Sequence, residues 1–85
     1  MVEIKRIVTT EKFEDDVKGM KDKGLKDKLQ KQIEKITHNP DFGKSLRHGL
    51  HGESTIYVKP YRLIFKVEGD ALILLRFEHR KHIYD

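Results

Sequence analysis

STIYVKPYRLIFKVEGDALILLRFEH, residues 54–79, is the stretch on which the fold turns. It is rich in β-branched and aromatic residues and is broken twice by turn chemistry, so it reads as three strands. Gly69-Asp70, the central pair of VEGDA, marks a two-residue hairpin loop. The earlier break, VKPY, is less determined. A proline at the third position of a tight turn needs a cis bond, or else the loop is longer.

The Gly-Asp loop fixes a register. Glu68 then faces Ala71, Phe65 faces Leu74, and Arg62 faces Phe77. A loop of even length at Lys59-Pro60 sets Val58 against Tyr61 and Tyr57 against Arg62. Directly opposed residues share a face. One face becomes Ile56, Val58, Tyr61, Leu63, Phe65, Val67, Leu72, Leu74 and Arg76, almost wholly apolar. The other is Thr55, Tyr57, Arg62, Ile64, Lys66, Ile73, Leu75, Phe77 and His79. A slip of one residue would exchange the two faces.

On the N-terminal side, residues 3–8 contain Ile4, Ile7 and Val8 and predict a short strand. Thr9 or Thr10 can cap a helix, with Glu11 in its first turn where it suits the helix dipole. Phe13, Val17 and Met20 lie on one helical face, and Leu25, Leu29, Ile33 and Ile36 on another. The break at KDKG, residues 21–24, separates helices predicted over 10–20 and 24–37. Asn39-Pro40 ends the second, since the residue before proline avoids helical dihedrals. Ser45 to His48 reads as a short strand and GLHGE, 49–53, as a turn. The expected architecture is α+β: one domain over 1–85, with an N-terminal strand and a helical hairpin on one face of a small, mainly antiparallel sheet.

A chain of 85 residues has little surplus stability, since a domain near this size buries only roughly 60% of its unfolded surface. It has no cysteine, which excludes disulfides and thiolate metal sites and fits a reducing cytosol. The N-terminus shows no signal-peptide pattern, and no apolar run is long enough to span a membrane. Charged residues make up 38% of the chain, with a formal net charge of +4 and a pI near 9.4. That excess points to an anionic partner, with nucleic acid ahead of an acidic protein or a merely solvated surface. Many Lys and Glu, no Cys and a single Asn match a thermophilic style of composition.

The predicted open face gathers Tyr57, Arg62 and His79 at one end. Lys59 sits in the adjacent loop, Arg80 and Tyr84 follow directly, and His48 precedes the turn into the sheet. Cleaving RNA without a metal needs the 2′-OH deprotonated, the leaving oxygen protonated and the phosphorane's charge stabilised. Histidine or tyrosine suits the proton transfers, and arginine's fork suits the phosphate. Tyrosine also stacks on splayed bases. A plain RNA-binding surface would use the same residue types. Each residue also has a structural reading. Arg62 could pair with Glu78 or Glu53, Tyr57 and Tyr84 could pack, and His79 and Lys59 could be solvated. The pairs HGLH (48–51) and HRKH (79–82) invite a zinc reading. In a strand, however, His79 and His82 point to opposite faces and no carboxylate spacing accompanies them, so no metal is expected.

LRHGL (46–50), PYRLIFKVEGD (60–70) and LLRFEHRKHIY (74–84) resemble the C-terminal half of RelE/ParE-superfamily toxins of prokaryotic toxin–antitoxin modules. The strand–helix–helix–strands order resembles that family too. The resemblance implies a RelE-like fold and, on the RelE side, an endoribonuclease that cleaves ribosome-bound mRNA, leaves 2′,3′-cyclic phosphate ends and inhibits translation, with no cofactor. It assigns Arg62 to the scissile phosphate and Arg80 to the transition state. His79 or Tyr84 takes proton transfer, with His48 in support. Lys59, Tyr57, Lys81, Arg76 and His82 are the expected RNA contacts. Thr55 and Tyr57 stand where RelE itself carries lysines, which moves the expected proton shuttle towards His79 or Tyr84. The implied partners are a cognate antitoxin, the ribosome and mRNA, with DNA reached only through the antitoxin, no membrane, and a cytoplasmic setting. Ile64, Ile73 and Leu75 would offer the antitoxin an apolar patch. The alternatives are a ParE-like gyrase inhibitor without enzymatic activity, or an inactive RNA-binding module.

Overall fold

The computed structural model describes residues 3–39, 44–45 and 52–79. Strand β1 (Arg6–Thr9) is followed by helices α1 (Glu11–Lys18) and α2 (Lys23–His38), then by β2 (Lys44–Ser45), β3 (Glu53–Val58), β4 (Tyr61–Glu68) and β5 (Ala71–His79). The sheet order is β1-β5-β4-β3-β2. β1 runs parallel to β5, and every other pair is antiparallel.

Both helices start on side-chain caps. The Thr10 hydroxyl oxygen accepts the Phe13 N–H at 3.0 Å, and the Asp22 carboxylate accepts the Leu25 N–H at 3.2 Å. Each cap satisfies one of the backbone donors that a helix start leaves free. Glu11 and Glu14 occupy the first turn of α1 and Lys18 its last, in keeping with the helix dipole. The apolar stripe Leu25, Leu29, Ile33 and Ile36 is buried against the sheet with Phe13 and Met20. It meets Ile56, Val58, Leu63, Phe65, Leu72, Leu74 and Phe77. Ile36 is 0% exposed, so truncating it to alanine would cost about 2–5 kcal/mol in lost contacts and cavity.

The turns match their chemistry. Gly69 has φ 59°, a left-handed value open to glycine, and the Gly69-Asp70 loop pairs Glu68 with Ala71. The Lys59-Pro60 bond is cis, and the two-residue connection sets Val58 opposite Tyr61.

The expected register holds from Glu68 to Phe65 and then fails. Phe65 faces Leu74, but Ile64 faces Arg76, so Leu75 is an extra residue in β5. This is a β-bulge, and it reverses the inside–outside alternation of everything beyond it. Arg62 therefore opposes Glu78, not Phe77. Phe77, placed by the unbroken register on the open face, is 2% exposed in the core. Arg76, placed on the apolar face, lies on the open one opposite Ile64. The bulge keeps a charged guanidinium out of the core and brings a phenyl ring in, which is the cheaper arrangement by several kcal/mol.

The bulge also joins the first helix to the sheet. The Thr10 hydroxyl donates to the Leu75 carbonyl, and the Thr10 N–H donates to the Leu74 carbonyl at 3.1 Å. One threonine thus caps α1 and anchors the irregular point of β5.

Candidate functional site

The open face is ordered by rows across the sheet. Tyr57, Arg62 and Glu78 form one row at the β3–β4 turn end, and Thr55, Ile64 and Arg76 form the next. The two arginines have different surroundings. Arg76 lies between two carboxylates: its Nη2 is 3.4 Å from Glu53 Oε1 and its Nε is 3.2 Å from Glu78 Oε1. Its charge is balanced within the sheet by these two ion pairs. Arg62 forms no ion pair among the described residues, and its Nε is buried without a hydrogen-bond partner. The glutamates that could have paired with it are both held by Arg76. A half-buried guanidinium without an ion pair is a place where an oxyanion can make charge-assisted hydrogen bonds.

Tyr57 lies opposite Arg62 and is 51% exposed. Lys59, at the tip of the same turn, is exposed too. Tyr57, Arg62 and Lys59 thus gather at one end of the sheet as the sequence predicts.

His79 does not join them. The bulge carries it to the helix-side face opposite Tyr61, where the two rings meet edge-on at 5.1 Å and 74°. Tyr61 stacks on Phe77 at 5.0 Å and 13°. Beside them Asp16 of α1 accepts the Phe77 N–H at 3.0 Å and holds Lys12 at 2.6 Å. The hydrogen bond and charge of Asp16 raise the Lys12 pKa above its ordinary value. Lys12, Asp16, Tyr61, Phe77 and His79 border a cleft of about 330 Å³ on this second face. No local pattern signals this grouping, since Asp16 and Phe77 lie 61 positions apart.

The apolar patch expected on the open face also changes. Ile64 is 0% exposed, and Ile73 and Leu75 are half-buried. Among the described residues, the large apolar side chains left exposed, besides Tyr57, are Ile7 and Val8 on β1. His48, Arg80, Lys81, His82 and Tyr84 lie outside the described residues. Among the described residues, no three metal-ligating side chains come together. No helix among them is long and apolar enough to cross a membrane.

Comparison with known proteins agrees with this architecture. The family model described as the ParE toxin of type II toxin–antitoxin system, parDE, matches residues 7–84. The curated toxin relative RelE4 of Methanocaldococcus jannaschii is 34% identical over 59 residues, which span 66% of this chain and 63% of that protein, less than two thirds of its length. The RelB–RelE antitoxin–toxin complex from Methanococcus jannaschii contains a chain 27% identical, with a TM-score of 0.73 over 92% of this chain and 95% of that one. The YoeB/ParE toxin from Agrobacterium tumefaciens shares the fold, with a TM-score of 0.78 at 18% identity over 87% of this chain and 96% of that one. With nearly all of its sequence matched by the family model and its fold matched by those structures, the chain belongs to the RelE/ParE superfamily of type II toxin–antitoxin toxins.

Proposed function

We propose that the chain is a RelE-like toxin that cleaves ribosome-bound mRNA without a metal and so stops translation in the cytoplasm. The observation that carries this reading is Arg62. Its half-buried guanidinium forms no ion pair among the described residues and lies opposite an exposed tyrosine, while the neighbouring Arg76 sits between two glutamates. That is the arrangement expected of a cation held ready for a scissile phosphate. Arg80 follows β5 directly and supplies the second positive charge as the phosphorane forms. Tyr84 takes the proton transfer, because the bulge puts His79 on the other face from Arg62. His48 supports the same step. Tyr57 and Lys59 hold the RNA strand, with Lys81 and His82 beyond. The reaction transfers the 2′-oxygen to phosphorus, expels the 5′-oxygen and leaves a 2′,3′-cyclic phosphate.

The partner in this reading is a cognate antitoxin, as in the archaeal RelB–RelE complex of similar fold. The exposed Ile7 and Val8 on β1 give it apolar surface to cover.

The family model matched is that of the ParE toxin, which supports gyrase inhibition as the second reading. One experiment separates the two. Purified protein is added to translating ribosomes, and cut sites are mapped by primer extension for the native chain and for Arg62→Ala. Cleavage with cyclic phosphate ends is expected, slowed by roughly a hundredfold or more in the variant, the scale of losing one key electrostatic stabiliser. Intact mRNA together with blocked DNA supercoiling would overturn the ribonuclease reading and support the gyrase one.

A further inference from the structure

Arg62 and Glu78 are directly opposed on β4 and β5, so their side chains share the open face with Cβ atoms roughly 5 Å apart. An arginine and a glutamate so placed are within reach of an ion pair, yet they do not form one. The Glu78 carboxylate turns along β5 to Arg76, its Oε1 3.2 Å from the guanidinium Nε. From the other side Glu53 meets the same guanidinium, its Oε1 3.4 Å from Nη2. Arg76 thus holds two carboxylates, and Arg62 has no ion pair among the described residues.

The two glutamates do not depend on Arg76 equally. Glu53 lies directly opposite Lys66, whose ammonium feels its charge. Without Arg76 it keeps a cation close by. Glu78 is placed differently. Lys12, near enough to feel its charge, is held by Asp16 at 2.6 Å. The remaining cation beside it is Arg62, across the strand pair. The Glu78 side chain is only 24% exposed, and a carboxylate that shielded from water needs a charged partner. Released from Arg76, it turns to Arg62.

We propose that Arg76 is a positioning residue: by holding the Glu78 carboxylate it keeps Arg62 open to a phosphate, without touching the RNA itself. This rests on the reading of Arg62 as a phosphate-binding cation and deepens it. A carboxylate and a phosphate compete for the same guanidinium N–H groups. An Arg62 paired with Glu78 would have to break that pair before it could bind a phosphate. The β-bulge creates the arrangement, because it puts Arg76 and Glu78 on the face of Arg62, where an unbroken ladder would set Phe77 opposite that arginine. Loss of Arg76 therefore harms binding only while Glu78 and Arg62 are both present, which no RNA-contacting arginine would show.

The test measures, by fluorescence anisotropy, how the full chain and its variants bind a short single-stranded RNA that is fully 2′-O-methylated and so cannot be cut. Arg76→Gln is expected to weaken binding about tenfold, the lower scale of a hydrogen bond to a charged group. Glu78→Gln alone should change it little. Adding Glu78→Gln to Arg76→Gln is expected to restore native binding, and in a chain carrying Arg62→Ala the Arg76→Gln substitution should have no further effect. An Arg76→Gln loss that persists alongside Glu78→Gln or Arg62→Ala would mean that Arg76 touches the RNA, and overturns the proposal. Arg76→Gln that binds as the native chain does, or a native chain with no affinity for the strand, overturns it as well. If circular dichroism shows Arg76→Gln unfolded, the double variant decides alone, because it lacks both charges: native binding is expected, and a clear loss overturns the proposal. Cleavage of ribosome-bound mRNA judges the ribonuclease reading separately. The coupled binding pattern in a chain that leaves mRNA intact keeps the role of Arg76 and removes the cleavage. Cleavage that Arg62→Ala slows and Arg76→Gln does not keeps the ribonuclease and removes the role of Arg76.

Discussion

The Asp16 carboxylate accepts the backbone N–H of Phe77 at 3.0 Å, bridging the first helix and the last strand. β1 ends at Thr9, opposite Leu74, so β5 runs on past its parallel neighbour with an uncovered edge. A side-chain oxygen takes the place that a strand carbonyl would have filled. The same carboxylate holds Lys12 through its other oxygen. Asp16 therefore fixes the part of β5 that leads into FEHRKHIY, where the family resemblance puts its chemistry.

Asp16→Ala leaves the Phe77 N–H without its partner, which costs about 1–3 kcal/mol for a buried donor. Asp16→Asn keeps an acceptor oxygen and should cost less. Urea denaturation gives the totals. Amide exchange locates the effect: Phe77 should exchange faster in Asp16→Ala while Phe65, in mid-sheet, keeps its protection at a matched stability. An unchanged Phe77 exchange rate would mean that the hydrogen bond contributes nothing.

Arg62 and Arg76 should separate function from stability. Arg76→Ala leaves Glu53 and Glu78 facing each other without the cation between them, and is expected to destabilise the fold by about 1–3 kcal/mol. Arg62→Ala removes a group that has no ion pair among the described residues, and should change the unfolding midpoint little, within about 0.5 kcal/mol. Thermal unfolding of the two variants side by side decides this. Equal losses would show that Arg62 is a structural cation after all.

Much of this architecture is legible in the sequence. The spacing of Leu25, Leu29, Ile33 and Ile36 places α2, and Gly69-Asp70 sets the register as far as Phe65 and Leu74. The bulge is harder to find because Leu72, Ile73, Leu74 and Leu75 are all apolar, so the run has no alternation in which a slip would show. The cue lies just beyond it. Arg76, Phe77 and Glu78 alternate out of phase with Leu72 and Leu74, and an unbroken strand would bury an arginine and expose a phenylalanine. Taking that conflict as a bulge would have put His79 on the helix side. The pairing of β1 with β5 has no local signature, since parallel neighbours are set by tertiary packing.

Lys12 gives a pH dependence with a definite sign. The hydrogen bond that Lys12 donates to Asp16, then the charge of that carboxylate, raises the Lys12 pKa above the ordinary 10.5. A lysine whose folded pKa exceeds its unfolded one stabilises the fold fully below the unfolded value and loses that contribution as pH rises through the folded value. Lys12 is well exposed, so solvent and salt screen the effect and it stays small. The gap in melting temperature between the native chain and Lys12→Gln should be constant across neutral pH and narrow above about pH 10.5. A gap that widens in the alkaline range would contradict the assignment.

Deleting Leu75 tests the bulge directly. Leu75 is the surplus residue of β5, so without it Ile64 still faces Arg76, Leu63 still faces Phe77 and Arg62 still faces Glu78, now in an unbroken ladder. Arg76 keeps its two glutamates and Phe77 its place in the core. The losses are a half-buried side chain and the carbonyl that accepts from the Thr10 hydroxyl, together about 1–3 kcal/mol. Leu75→Ala keeps the backbone count and removes only the side chain, so its cost should be about 1 kcal/mol. Circular dichroism with urea titration measures both. If β5 ran without a bulge, the deletion would instead turn Arg76 and every residue after it to the opposite face, a change of the class that costs more than about 4 kcal/mol. A deletion variant that fails to fold would therefore overturn the bulge, and with it the placement of His79 away from Arg62.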